Sequence, residues 1–222
     1  MVATTTAKAK KDSSTSRFFI KVLNDDADTK VEVTDATGIV GATGLSALIA
    51  VNSTGSVTLS GAATIAGSEA QLKKALITDG VVASGAKASV TDGVGTGIGA
   101  SAISALADKV SSVEVSNAID VTGSISDVQS LQGLSKVILP SDYTVELSDA
   151  GSVTVTDLSD IAGKTSGSFS MPNVTTLSGS AAEFNALGNA LDSLSFSTGD
   201  FKITGDGSLT LAALKSLNEK TS

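Results

Sequence analysis

Residues 57–77, VTLSGAATIAGSEAQLKKALI, decide how this chain is read. Val57 and Leu59 alternate with polar neighbours, as in a half-buried strand, and the small pair Ser60-Gly61 breaks the run. Ile65, Leu72, Ala75 and Leu76 then fall at helical spacing. Ser68 followed by Gln71 makes a capping box, which predicts a helix start at that point. A further β-type run closes the stretch, so the module reads as strand, turn, helix, strand.

Outward from this module the same punctuation recurs. Ser or Thr followed by Asp or Gly ends a strand-like run at Thr34-Asp35, Ser60-Gly61, Thr91-Asp92, Thr122-Gly123, Thr156-Asp157, Ser178-Gly179 and Thr204-Gly205. One such module cannot bury its apolar edge alone, so neighbouring modules must stack, and intervals of 22 to 34 residues suit a stacked repeat. The seven dipeptides are then expected to stand over one another in a single column.

Helix faces are expected on Leu45, Leu48 and Ile49, and on Ile103, Leu106 and Val110. A third face is Val128, Leu131 and Leu134, with Ser126 and Gln129 as its capping box. Leu158 and Ile161 mark a short helix. Phe184, Leu187 and Leu191 follow Ser180 and Glu183, another capping box. Leu209, Leu211, Leu214 and Leu217 form a last helix that would cap the stack. Second strands are expected at 113–115, 169–171 and 194–196, and residues 137–147 read as one long strand bent at Pro140.

The fold class that follows is a repeat solenoid of mixed type, with parallel strands stacked in coils and one short helix per coil. It would be leucine-rich-repeat-like or a three-sided prism of two parallel sheets and a helical wall, about 30 to 35 Å long. Strands that alternate with Ser and Thr favour this over a doubly wound sheet, whose strands read as continuous apolar runs. Aromatic residues make up only 3% of the chain while hydrophobic residues reach 41%, so the core must be built from small aliphatics in regular layers. Residues 1–16 read as a flexible or extended basic arm, 17–30 as a capping strand with an acidic turn, and 31–222 as the repeat body.

Charge separates the arm from the body. Lys8, Lys10, Lys11, Arg17 and Lys21 face a single acid, Asp12, in the first 21 residues, a balance of +4. The remainder holds ten Lys against twenty-two acids, which leaves −8 for the whole chain. A basic arm on an acidic body can dock on a neighbouring copy, with Lys8, Lys10, Lys11 and Arg17 as its contacts. An acidic body disfavours nucleic acid as partner. No apolar run in the arm is long enough for a signal peptide or a membrane span.

Catalytic chemistry finds little purchase in this composition. Without His or Cys there is no Ser-His-Asp or Cys-His pair and no His-based metal triad. Asn24, Asp25, Asp26 and Asp28 alternate as a Ca²⁺ loop can, but lack its turn Gly and distal Glu, and read as a plain acidic turn. Gly95, Gly97 and Ala100 fit a GxGxxA dinucleotide fingerprint, with Glu114 at the end of the next strand. The other modules have the same strand, turn and helix without those glycines, so a Gly-rich turn in an ordinary coil explains the segment more simply. No cofactor, metal or catalytic residue is assigned.

VTLSG, IDVTG, VTVTD, VTTLSG and KITG, each with its helix, resemble the degenerate strand-helix repeats of bacterial, especially cyanobacterial, surface proteins. They are also similar to the low-aromatic fibre and decoration proteins of tailed bacteriophages. The resemblance spans about residues 31–217 and implies a non-enzymatic structural or interaction protein. On that implication it would be a virion component held by its arm to neighbouring copies or other virion proteins, with a host-surface receptor as a further partner. The alternative it implies is a module of a secreted or cell-surface adhesin, and a remote third reading is a nucleotide-binding enzyme using residues 93–100.

Overall fold

The structure is a computed structural model, and it describes residues 4–7, 10–11, 18–19, 30–33, 38–51, 55–187, 194–195 and 200–220. In chain order the first elements are β1 (Thr4–Ala7), β2 (Lys10–Lys11), β3 (Phe18–Phe19), β4 (Lys30–Val33), β5 (Ile39–Gly41), α1 (Ala42–Val51), β6 (Val57–Leu59) and β7 (Thr64–Gly67). Then come α2 (Glu69–Lys73), prolonged by a π-helical turn over Lys74–Thr78, β8 (Lys87–Val90), β9 (Gly97–Gly99), α3 (Ala100–Ala107), β10 (Ser112–Val115), β11 (Asp120–Gly123) and α4 (Ile125–Gly133). The chain continues with β12 (Val137–Ile138), β13 (Thr144–Leu147), β14 (Gly151–Thr154), α5 (Val155–Ala162), β15 (Phe169–Ser170) and β16 (Val174–Ser180). It closes with α6 (Ala181–Leu187), β17 (Leu194–Ser195), β18 (Asp200–Thr204) and α7 (Leu211–Lys220).

The fold is mixed α/β, with seven α-helices and several parallel sheets among the described residues, none of them closed into a barrel. Two compact units divide the chain. The first comprises Met1–Asp92, Ala102–Asn117 and Ser135–Leu139, and the second Gly93–Ser101, Ala118–Leu134 and Pro140–Ser222. In the first unit one parallel sheet has the order β1-β4-β6 and another the order β12-β10-β8-β7-β5, while β2 and β3 pair antiparallel. The second unit holds the parallel sheets β17-β15-β13-β11-β9 and β14-β16-β18.

Register within each sheet explains the composition. In the first unit Val40, Ile65, Ala88, Val113 and Val137 are successive partners, and the first four are buried. In the second unit Ile98, Val121, Val145, Phe169 and Leu194 form the equivalent column. Partners stand 23 to 25 residues apart in both columns. In the β14-β16-β18 sheet Val153, Leu177 and Phe201 are spaced by 24. Strands lie about 4.8 Å apart, so like-sized Val, Ile and Ala side chains stack without gaps, and each buries its neighbour's flank.

This register corrects the expected repeat. The Thr/Ser dipeptides do not form one column: Ser60 follows β6, Thr91 follows β8, Thr122 lies in β11, Thr156 sits on α5, Ser178 is within β16 and Thr204 ends β18. Thr34 lies outside the described residues. Small hydroxyl and glycine residues end either kind of strand and also precede helices, so one dipeptide marks several different places. Ile65, read as helical, is a strand residue of β7. The module is therefore strand, strand, helix. The run 137–147 is two strands, β12 and β13, in different sheets, with Pro140 between them.

A second period is visible once the elements are placed. The helix-capping serines Ser68, Ser124 and Ser180 are 56 residues apart, and each follows a glycine: Gly67, Gly123 and Gly179. Two 24-residue returns of the chain fall eight residues short of 56, about one strand with its turn. Equivalent strands therefore move to the next sheet in each repeat, so that β7, β11 and β16 belong to three different sheets.

Candidate functional site

The polar side chains at the helix starts form the most organised chemistry in the molecule. In the first unit Ser68 Oγ accepts from Gln71 N at 3.3 Å, and the Gln71 side chain accepts from Ser68 N at 3.0 Å. Asp92, which follows the neighbouring strand β8, accepts from Glu69 N at 2.6 Å. A carboxylate one return along the chain thus joins the cap of α2, where the exposed amides favour negative charge. Asn117 continues the chain of contacts by donating to the Asp92 carbonyl at 2.7 Å.

The second unit repeats the device. Ser124 Oγ accepts from Asp127 N at 3.1 Å, and Asp149, after β13, accepts from Ile125 N at 2.7 Å. The capping box of α4 is Ser124 with Asp127, two residues ahead of the expected Ser126 and Gln129. Gln129 instead donates toward the Asp157 carbonyl. At α6, Glu183 accepts from Ser180 N at 2.7 Å and from Thr156 of α5 at 2.5 Å. The Thr156 hydroxyl, more than the Ser180 backbone, holds the exposed Glu183 carboxyl below its ordinary range. Thr144 and Asp120 are hydrogen-bonded between β13 and β11. Gln132 donates to Tyr143 Oη at 2.5 Å and to the Ile161 carbonyl, and burial pushes the Tyr143 phenol up.

Glycines make the close approach that these caps need. A Cβ on Gly67 would stand 3.0 Å from Ala42 Cβ, and one on Gly179 would stand 2.8 Å from Val155 Cγ2. Each of these glycines lies over the first residue of the preceding odd-numbered helix, and Gly123 lies likewise over Ala100. Sequence reasoning missed this glycine role. The signal that marks it is the Gly-Ser pair recurring every 56 residues.

Of the proposed arm contacts, Lys10 and Lys11 form β2 beside Phe19 and Phe18 of β3. Lys8 and Arg17 lie outside the described residues, as do Asn24, Asp25, Asp26 and Asp28. The strand β1 within the arm adds to the edge of β4 in parallel register. In the Gly-rich segment Gly95 occupies a turn with φ of 72°, whereas Gly97 lies in β9 and Ala100 opens α3. A dinucleotide fingerprint leads straight from strand into helix. Here β9, paired with β11, stands between β8 and α3. Glu114 is an exposed residue of β10, opposite Ser89.

Among the described residues no group of three or more acidic side chains is placed to hold a metal ion, and no helix is long and apolar enough to cross a membrane. No protein-family model, curated protein or solved structure matches the chain.

Proposed function

We propose that the chain is a repeat solenoid of stacked strand, strand and helix coils whose surface makes contacts and carries out no reaction. The biological setting we propose is the virion of a tailed bacteriophage. There residues 1–16 hold the body to neighbouring copies or to other virion proteins, through Lys8, Lys10, Lys11 and Arg17. The observation that carries this reading is the use of the polar groups. Asp92, Asp149 and Glu183 all accept hydrogen bonds from residues 23 to 27 positions earlier in the chain, as fixed structural caps. Small aliphatics in register and carboxylates engaged as caps suit a rigid contact-making body.

The reading is tested by mass spectrometry of purified particles from the source of the gene, together with a variant lacking residues 1–16. Many copies per particle, and their loss on removing the arm, are expected. A monodisperse cytosolic monomer unaffected by the truncation contradicts the reading.

A further inference from the structure

The odd-numbered helices are related by the 56-residue period, and their buried faces can be compared position by position. The first, fourth and seventh residues are Ala100, Ile103 and Leu106 in α3, and Val155, Leu158 and Ile161 in α5, all six fully buried. In α7 the same positions are Leu211, Leu214 and Leu217. Leu217 is buried, but Leu211 is 83% exposed and Leu214 53% exposed. Ile203 of β18, 56 residues beyond the buried Leu147, is 44% exposed. The final helix was expected to turn all its leucines inward, and two of them do not.

What covers the equivalent residues elsewhere identifies the cover that α7 lacks. Val155 lies under Gly179 of β16, and Ala42 lies under Gly67 of β7. In each case the covering element is the next parallel strand of the same kind of coil, ending in glycine before a capping serine. An apolar face of this shape fits another such coil better than a flat or charged partner.

We propose that the β18 and α7 face is covered by the β1 and β4 coil of a second copy of this chain. β1 belongs to the same step of the strand order as β7, β11 and β16, since each stands directly before the strand that ends in the Thr/Ser landmark. β7, β11 and β16 each have a parallel strand on both sides, whereas β1 heads its sheet among the described residues. The two surfaces are unlike, so the contact is heterologous and adds copies beyond a dimer. This deepens the reading above by naming a neighbouring copy as the partner, and it rests on that coil architecture.

Sedimentation velocity of the 222-residue chain over a wide concentration range tests the proposal. The expected result is a mass that rises above twice 21.9 kDa. The double variant Leu211→Glu with Leu214→Glu should stay at 21.9 kDa, with an unchanged circular-dichroism melt because both side chains are already exposed. Val94→Glu, at a 77% exposed apolar residue away from this face, should associate like the parent. Cross-linking a mixture of isotopically light and heavy parent chain gives a readout that needs no variant. Intermolecular products should join residues 200–220 to residues 4–33. A monomeric parent chain, undiminished association in the double variant, or cross-links joining 200–220 to itself would each overturn the proposal. A monomeric result removes this inference alone, because attachment to other virion proteins is read separately from particles.

Discussion

Gly179 and Glu183 show how much single residues decide. Replacing Gly179 by Ala drives a methyl group to within 2.8 Å of Val155 Cγ2, so helix α5 and strand β16 must separate. The expected cost is about 1 to 3 kcal/mol, the range of an overpacked core. Gly133→Ala is the matched control. Its new Cβ meets nothing within 4 Å at the end of α4, and stability should hold or rise by up to about 1 kcal/mol. Urea midpoints of the two variants check both outcomes, and equal effects would contradict the close approach. Glu183 has its carboxyl held below the ordinary range, first by Thr156 and then by Ser180. A folded-state value below the unfolded one means that this stabilisation is complete above the ordinary glutamate pKa. It is lost as the pH falls from about 4 through the lower folded value. Glu183→Gln should therefore flatten the acid limb of a plot of urea midpoint against pH. An acid limb identical to the parent's would remove the carboxylate from the account.

At the scale of elements, the caps that reach from one return of the chain to another carry the argument. Asp149→Ala leaves Ile125 N without its acceptor, and Asp92→Ala does the same to Glu69 N. Each should cost about 0.5 to 2 kcal/mol, the usual range for a lost helix cap. Chemical denaturation measures this, and a pair of unchanged midpoints would mean that the carboxylates are ornamental. Much of the element content was legible from sequence. Val57 and Leu59 alternate in a strand, Ser68 and Gln71 cap a helix, and Leu45, Ile103, Leu131 and Phe184 face inward as periodicity required. What periodicity could not separate was a strand running straight into a helix. Ile65 sits seven residues before Leu72, a spacing that two helical turns and a strand-to-helix junction satisfy equally. The long strand at 137–147 failed for a related reason, since a two-residue strand in one sheet and a four-residue strand in another read as one run.

The whole molecule hides its repeat because two periods coexist. A search for one landmark per module mixes a 24-residue spacing of strand partners with a 56-residue spacing of capping sites, and the mixture appears as drift. The arm and the acidic turn contributed no geometry to the candidate site, because their signals are charges alone, and charge pattern fixes neither partner nor conformation. The account stands on successive returns of about 24 residues lying in parallel register. The chain has no cysteine, so introduced pairs report without background. Thr122 and Glu146 are register partners on adjacent strands, and Ser170 is the next along the same row. The most direct measurement is disulfide formation under mild oxidation in Thr122→Cys/Glu146→Cys, Glu146→Cys/Ser170→Cys and Thr122→Cys/Ser170→Cys. Neighbouring strands stand about 4.8 Å apart, within disulfide reach, and strands two apart stand at about twice that, beyond it. Cross-linking of the first two pairs and not the third is predicted, and a third pair that links as readily, or first pairs that do not link, would contradict the register.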